Sequence, residues 1–137
     1  EQSAFEDYHK LARRASRPQT RRLLLELAEE EAGHCRHVGT LDVGGQDAGL
    51  RDGSAAGLPP QEALTHDAAE SDAPVLFHAI EHEEATAAFY EQLARNTALP
   101  ALRNAFTRLA ASERSHALRL RACREAEARE ETLPAPS

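Results

Sequence analysis

The chain has 137 residues and a formal net charge of −7, and its abundant Arg is interleaved with Glu. That balance reads as a solvated helix surface and argues against a nucleic-acid partner. No apolar run approaches the ~18 residues of a membrane span, so no membrane role is expected. The length suits a single domain with a real core.

Taken in order, the first helix is expected over about 1–16, with Glu1, Ala4 or Phe5, Tyr8, and Leu11 or Ala12 on its inward seam. Arg17-Pro18 makes a turn, because proline disfavours helix before it and suits the first turn after it. A second helix is expected over about 19–39, its seam running Leu24, Leu27, Glu31, His34, Val38 and Leu41. Residues 40–72 form a long connection with glycines at 44, 45, 49, 53 and 57, unusual inside a compact domain. Its later part, 59–70, has room for a short helix opened by the Pro-Pro pair. Asp72 is the expected N-cap of a third helix over about 73–96, with Pro74 just inside and Leu76, Ile80, Glu83, Ala87, Tyr90 and Ala94 on its seam. A fourth helix over about 100–130 carries Leu102, Phe106, Leu109, Glu113, His116, Leu120 and Cys123 on one face. Residues 133–137 are expected to fray, which places the domain at 1–132.

The chain repeats itself. An offset of 82 residues puts Glu1 on Glu83, Tyr8 on Tyr90, Pro18 on Pro100, Arg21 on Arg103, Glu31 on Glu113 and His34 on His116. No gap is needed from Glu1 to Val38. Each copy reads as helix, short Pro-containing turn, helix. By that symmetry the first helix is expected to lack residues upstream of Glu1. Two hairpins joined by one long connection describe an all-α, antiparallel four-helix bundle with a crossover between helices two and three.

Ionisable residues stand where the seams want leucine. A buried lone carboxylate is costly unless it is paired, protonated or bound to metal. Within Glu31-x-x-His34 and Glu113-x-x-His116 both side chains leave the same helix face, ~4.5 Å apart along the axis. Four seams facing one interior bring together Glu1, Glu31, Glu83 and Glu113 with two imidazoles, and the carboxylates repel unless divalent cations cancel them. One Glu from each of two helices plus Glu-x-x-His from the other two is a known di-iron arrangement. Such oxygen-rich ligation suits iron or manganese, and zinc can occupy the same ligands.

These residues resemble the ferritin-like superfamily and, within it, the rubrerythrin-like di-iron domains. The resemblance rests on Glu-x6-Tyr-x2-Leu-Ala followed by Leu-Ala-x2-Glu-x2-His, twice, and on the run Ala79 to Ala94. It covers all four helices and omits the Gly-rich connection. It implies Glu1, Glu31, His34, Glu83, Glu113 and His116 as ligands of two iron ions, with Tyr8 and Tyr90 beside them. Two departures stand out. The sequence has two cysteines, Cys35 and Cys123, and no CxxC pair of the rubredoxin type, so an external electron donor is implied. The position one turn before Glu83, where many rubrerythrins add a carboxylate, is Ile80, which argues against the family's ligand switching and efficient peroxide reduction.

Other readings of single residues stay open. Glu84 rivals Glu83, though the repeat favours Glu83. The Tyr8 and Tyr90 phenols need partners when buried, a ligand carboxylate or a backbone group. Cys123 reads as a buried thiol, Cys35 as packing, and His37 and His82 as solvated. Glu6, Glu29, Glu30 and the acidic run from Glu125 to Glu131 read as surface charge. The leading functional expectation is a non-haem di-iron oxidoreductase acting on hydrogen peroxide or O2. The alternatives are a ferroxidase or iron-storage protein, and a bundle stapled by metal without turnover. With no visible signal peptide, the expected location is the cytoplasm. A homo-oligomer, a dimer first, is expected from an apolar surface around Val75, Leu76 and Phe77.

Overall fold

The computed structural model describes residues 2–39 and 71–132, which form four helices. They are α1 (Gln2–Arg14), α2 (Pro18–Gly39), α3 (Ala73–Asn96) and α4 (Pro100–Thr132). Among the described residues there is no strand, and no helix is long and apolar enough to cross a membrane. The expected boundaries hold to within two residues at each described end. Glu1, the Gly-rich connection with its short-helix expectation at 59–70, and the tail 133–137 lie outside the described residues.

The two tight turns are built alike. Pro18 and Pro100 each open a helix, where a missing N–H costs nothing and φ is already helical. Three positions later in each copy an arginine reaches back to the preceding turn. Arg21 Nη2 donates to Ala15 O at 2.9 Å, and Arg103 Nη2 donates to Thr97 O at 3.1 Å. A guanidinium on a helix-end carbonyl satisfies an acceptor that the helix leaves open. The repeat therefore extends to the turn chemistry. Such turns send α2 back along α1 and α4 back along α3, and the hairpins meet through α2 on α4 and α1 on α3.

All six seam residues of α3 are buried. On α4 the charged seam positions Glu113 and His116 are buried beside Leu109 and Leu120. A larger apolar cluster contains Tyr8, Leu11, Leu24, Leu27, Leu76, Ile80 and Leu120. A smaller one contains Tyr90, Leu109 and Ala110. Glu83 lies between Ile80 and Tyr90 along α3, and Glu113 and His116 lie between Ala110 and Leu120 along α4. A charged layer thus separates two apolar ones.

Three expectations need correction. Val75 and Leu76 are fully buried, leaving only Phe77 of that trio exposed, so the apolar surface invoked for dimerisation is core. Asp72 is the N-cap residue of α3, as expected, but its side chain makes no cap bond to that helix. Its carboxylate instead accepts from the backbone N–H groups of Ser16 and Arg17 at 2.7 and 2.9 Å. Glu127 is not surface charge. It is buried, accepts the Asp72 N–H at 2.6 Å and faces Arg17 Nε at 3.3 Å. The Arg17 guanidinium offsets the two buried carboxylates, and the network ties the α1–α2 turn to the start of α3 and the end of α4.

Candidate metal centre

The helices α2, α3 and α4 bring their seam carboxylates and imidazoles to the charged layer because the helical period places them on the inward stripe. Glu31, Glu83, Glu113 and His116 are all buried. One ligand atom from each lies within 4.8 Å of every other. Glu83 is the inward residue of its pair, whereas Glu84 is half-exposed and bonded to Arg121.

The two histidines point alike. His116 Nδ1 lies 3.0 Å from Glu31 Oε1, 3.4 Å from Glu113 Oε2 and 3.6 Å from Glu83 Oε2. His34 Nδ1 lies 3.2 Å from Glu113 Oε1 and 3.6 Å from Glu31 Oε1. Their rings stack at 5.5 Å with 13° between planes. Glu31 and Glu113 therefore each stand between both imidazoles, and Glu83 stands on the His116 side. Tyr8 donates its phenol hydrogen to Glu83 Oε1.

The far nitrogens of both rings are held crosswise. His116 Nε2 pairs with Glu30 Oε2 at 2.9 Å, and Arg119 Nη1 holds the other Glu30 oxygen at 2.6 Å. His34 Nε2 pairs with Ser112 Oγ at 2.9 Å. Glu30 is exposed, as its reading as surface charge expects, but it also holds a histidine of the cluster. Glu30 and Ser112 each immediately precede the Glu of a Glu-x-x-His, and the 82-residue offset superposes them. That adjacency was the available signal.

Charge at the centre is strongly perturbed. Burial, with the adjoining Glu113 carboxylate, pushes the Glu83 carboxyl up to about 8. The Glu113 and Glu31 carboxylates raise His34 to about 10. Burial opposes a charge on His116, but Glu113, Glu31 and Glu83 outweigh it and raise the ring to about 12. Burial also works against the Glu113 charge, yet the His116 and His34 rings hold it well below the usual carboxylate range. Burial first, then Glu83, keeps the Tyr8 phenol far above its ordinary value, so it remains a donor. At the two histidines the surrounding carboxylates favour positive charge, proton or metal.

The donor atoms fit a cation. Among the described residues, Glu31 Oε1, Glu83 Oε2, His34 Nδ1 and His116 Nδ1 are buried without a hydrogen-bond partner. Leaving such groups unsatisfied costs about 1–3 kcal/mol each. Each lies within 3.6 Å of another of the four, and lone pairs on oxygen and nitrogen are what a divalent metal takes up. The cluster can hold metal.

The rubrerythrin family model matches residues 75–135. That stretch of the chain is similar to rubrerythrins. That match spans α3 and α4, and the repeat extends the same spacing of ligand types to α1 and α2. No curated protein and no solved structure matches the chain.

The remaining expected positions divide. Glu1, expected as a ligand, lies outside the described residues. Tyr90 is buried in the smaller apolar cluster, stacked on Phe106 at 6.3 Å. Ile80 packs in the larger cluster, so α3 offers Glu83 and no second carboxylate one turn before it. Cys123 is half-buried with its sulfur 3.7 Å from Thr20 Oγ1, away from the ligand cluster. His82 is half-buried, and burial lowers its pKa, which corrects its reading as a solvated histidine.

Proposed function

We propose that this chain is a dinuclear non-haem iron oxidoreductase that reduces hydrogen peroxide or O2, with electrons from an external one-electron donor. The observation that carries the reading is the convergence of His34 Nδ1 and His116 Nδ1 on shared carboxylates in a buried layer. Two cations offset the four carboxylates of the expected ligand set, with one imidazole for each. Oxygen-rich ligation with one nitrogen per metal suits iron, and manganese is the nearest competitor. When bound, a pair of ferrous ions supplies two electrons and Lewis acidity for breaking an O–O bond.

The rest belongs to the chain. Glu31 and Glu113, each between two rings, are the carboxylates able to span both positions. Glu83 serves the His116 side and is oriented by Tyr8. Ile80, Leu27 and Leu109 lie along the helices on either side and exclude water.

Anaerobic loading with ferrous iron, followed by stopped-flow mixing with peroxide or O2, tests the reading. The expected result is two irons per chain and oxidation complete within the mixing series. Retention of many irons per chain would favour storage, and two bound ions with no oxidation chemistry would leave a structural staple.

A further inference from the structure

The two halves of the centre are related by the 82-residue repeat, yet the groups behind the two imidazoles differ in kind. Behind His116 stands Glu30, a carboxylate. Behind His34 stands Ser112, a hydroxyl. We infer that the two cation positions are unequal: the position at His116 fills first and holds its ion tightly, and the position at His34 is the exchangeable one. This rests on the dinuclear reading above.

Two physical arguments carry it. The first concerns which ring nitrogen bears hydrogen. A carboxylate only accepts, so Glu30 fixes a hydrogen on His116 Nε2 and makes Nδ1, which faces the carboxylates, the nitrogen a cation would take. A hydroxyl can donate or accept, so Ser112 leaves the His34 tautomer unfixed. One ligand is arranged before the cation arrives, and the other must be arranged by it.

The second concerns charge. Arg119 bonds both Glu30 and Glu26, at 2.6 and 3.1 Å. Arg22 also bonds Glu26, at 3.1 Å, so two guanidiniums meet the two carboxylates, and what sets His116 apart is the carboxylate held directly on its outer nitrogen. A negative partner on the outer nitrogen makes the inner nitrogen a stronger donor, and losing such a partner typically lowers metal affinity about 10–100-fold. Ser112 contributes no charge. Glu83, fixed by Tyr8, adds to the same side, 3.6 Å from His116 Nδ1.

The test is anaerobic calorimetric titration of the full metal-free chain with Co(II), followed in parallel by the paramagnetically shifted imidazole N–H resonances. The expected result is two steps at least about tenfold apart in affinity, with one shifted N–H in the first and a second later. Glu30→Gln should weaken the first step about tenfold and leave the second, while Ser112→Asp should tighten the second. His34→Gln should abolish only the second step, which assigns it. Two ions bound with one affinity in the unaltered chain, or equal weakening of both steps by Glu30→Gln, would overturn the inference while leaving the dinuclear reading intact. No uptake of Co(II) or Fe(II) at all would instead refute that reading.

Discussion

Tyr8 and Glu83 lie 75 residues apart and meet in the interior, the phenol of α1 donating to a carboxylate oxygen of α3. Both are buried, so the bond ties the two hairpins at the level of the charged layer. Tyr8→Phe removes the donor and keeps the ring. The metal-free protein should lose about 1–3 kcal/mol in urea unfolding, the cost of a buried acceptor left without its partner. An unchanged midpoint and slope would contradict the bond.

Glu113 faces both imidazoles, with one oxygen toward each. Glu113→Ala should therefore reduce bound metal below two ions per chain, measured by elemental analysis after loading with iron or manganese. Glu113 is also the first cause of the raised His34 value. In the metal-free variant, the His34 titration followed by NMR should move down from about 10 toward the ordinary 6.5. Retention of two ions would refute the ligand assignment.

Protons and metal compete for the same donors. In chelated protein near neutral pH, His34 and His116 hold protons, and Glu83 titrates at about 8. Loading should release protons into a weakly buffered indicator solution, and metal affinity should rise with pH. The stability of the chelated protein runs the other way. The His34 value is raised from 6.5 to about 10, so its stabilising contribution is complete below 6.5 and lost as pH rises through about 10. Glu83, raised from 4.5 to about 8, acts in the same direction over its own window. Thermal melts with chelator should weaken from pH 6 to pH 10, and melts with Mn(II) should not follow that decline.

Asp72 accepts the backbone N–H groups of Ser16 and Arg17. Asp72→Ala should destabilise the protein by about 3 kcal/mol, since bonds to a buried charge are worth more than neutral ones. Because the network sits at the other end of the helices from His34, metal stoichiometry should be unchanged. Loss of metal together with stability would show that the two regions are coupled.

The sequence by itself determined the helices, their turns and the inward residues. Those features are local: a 3.6-residue period, a proline after a turn and an 82-residue repeat are all visible in one strip of text. For the same reason Glu31, Glu83, Glu113 and His116 could be named as inward-facing, and Glu83 preferred to Glu84. The tertiary structure alone decided which atoms face which. Glu30 reaches His116 across 86 positions and Ser112 reaches His34 across 78, and both stand beside the seam, where a helical pattern reads surface. The Asp72 carboxylate turned from its own helix to the α1–α2 turn, and Val75 entered the core beside the seam residue Leu76. Each of these depends on the height and rotation at which two hairpins dock. Helical periodicity carries no information about that docking, because it describes each helix about its own axis.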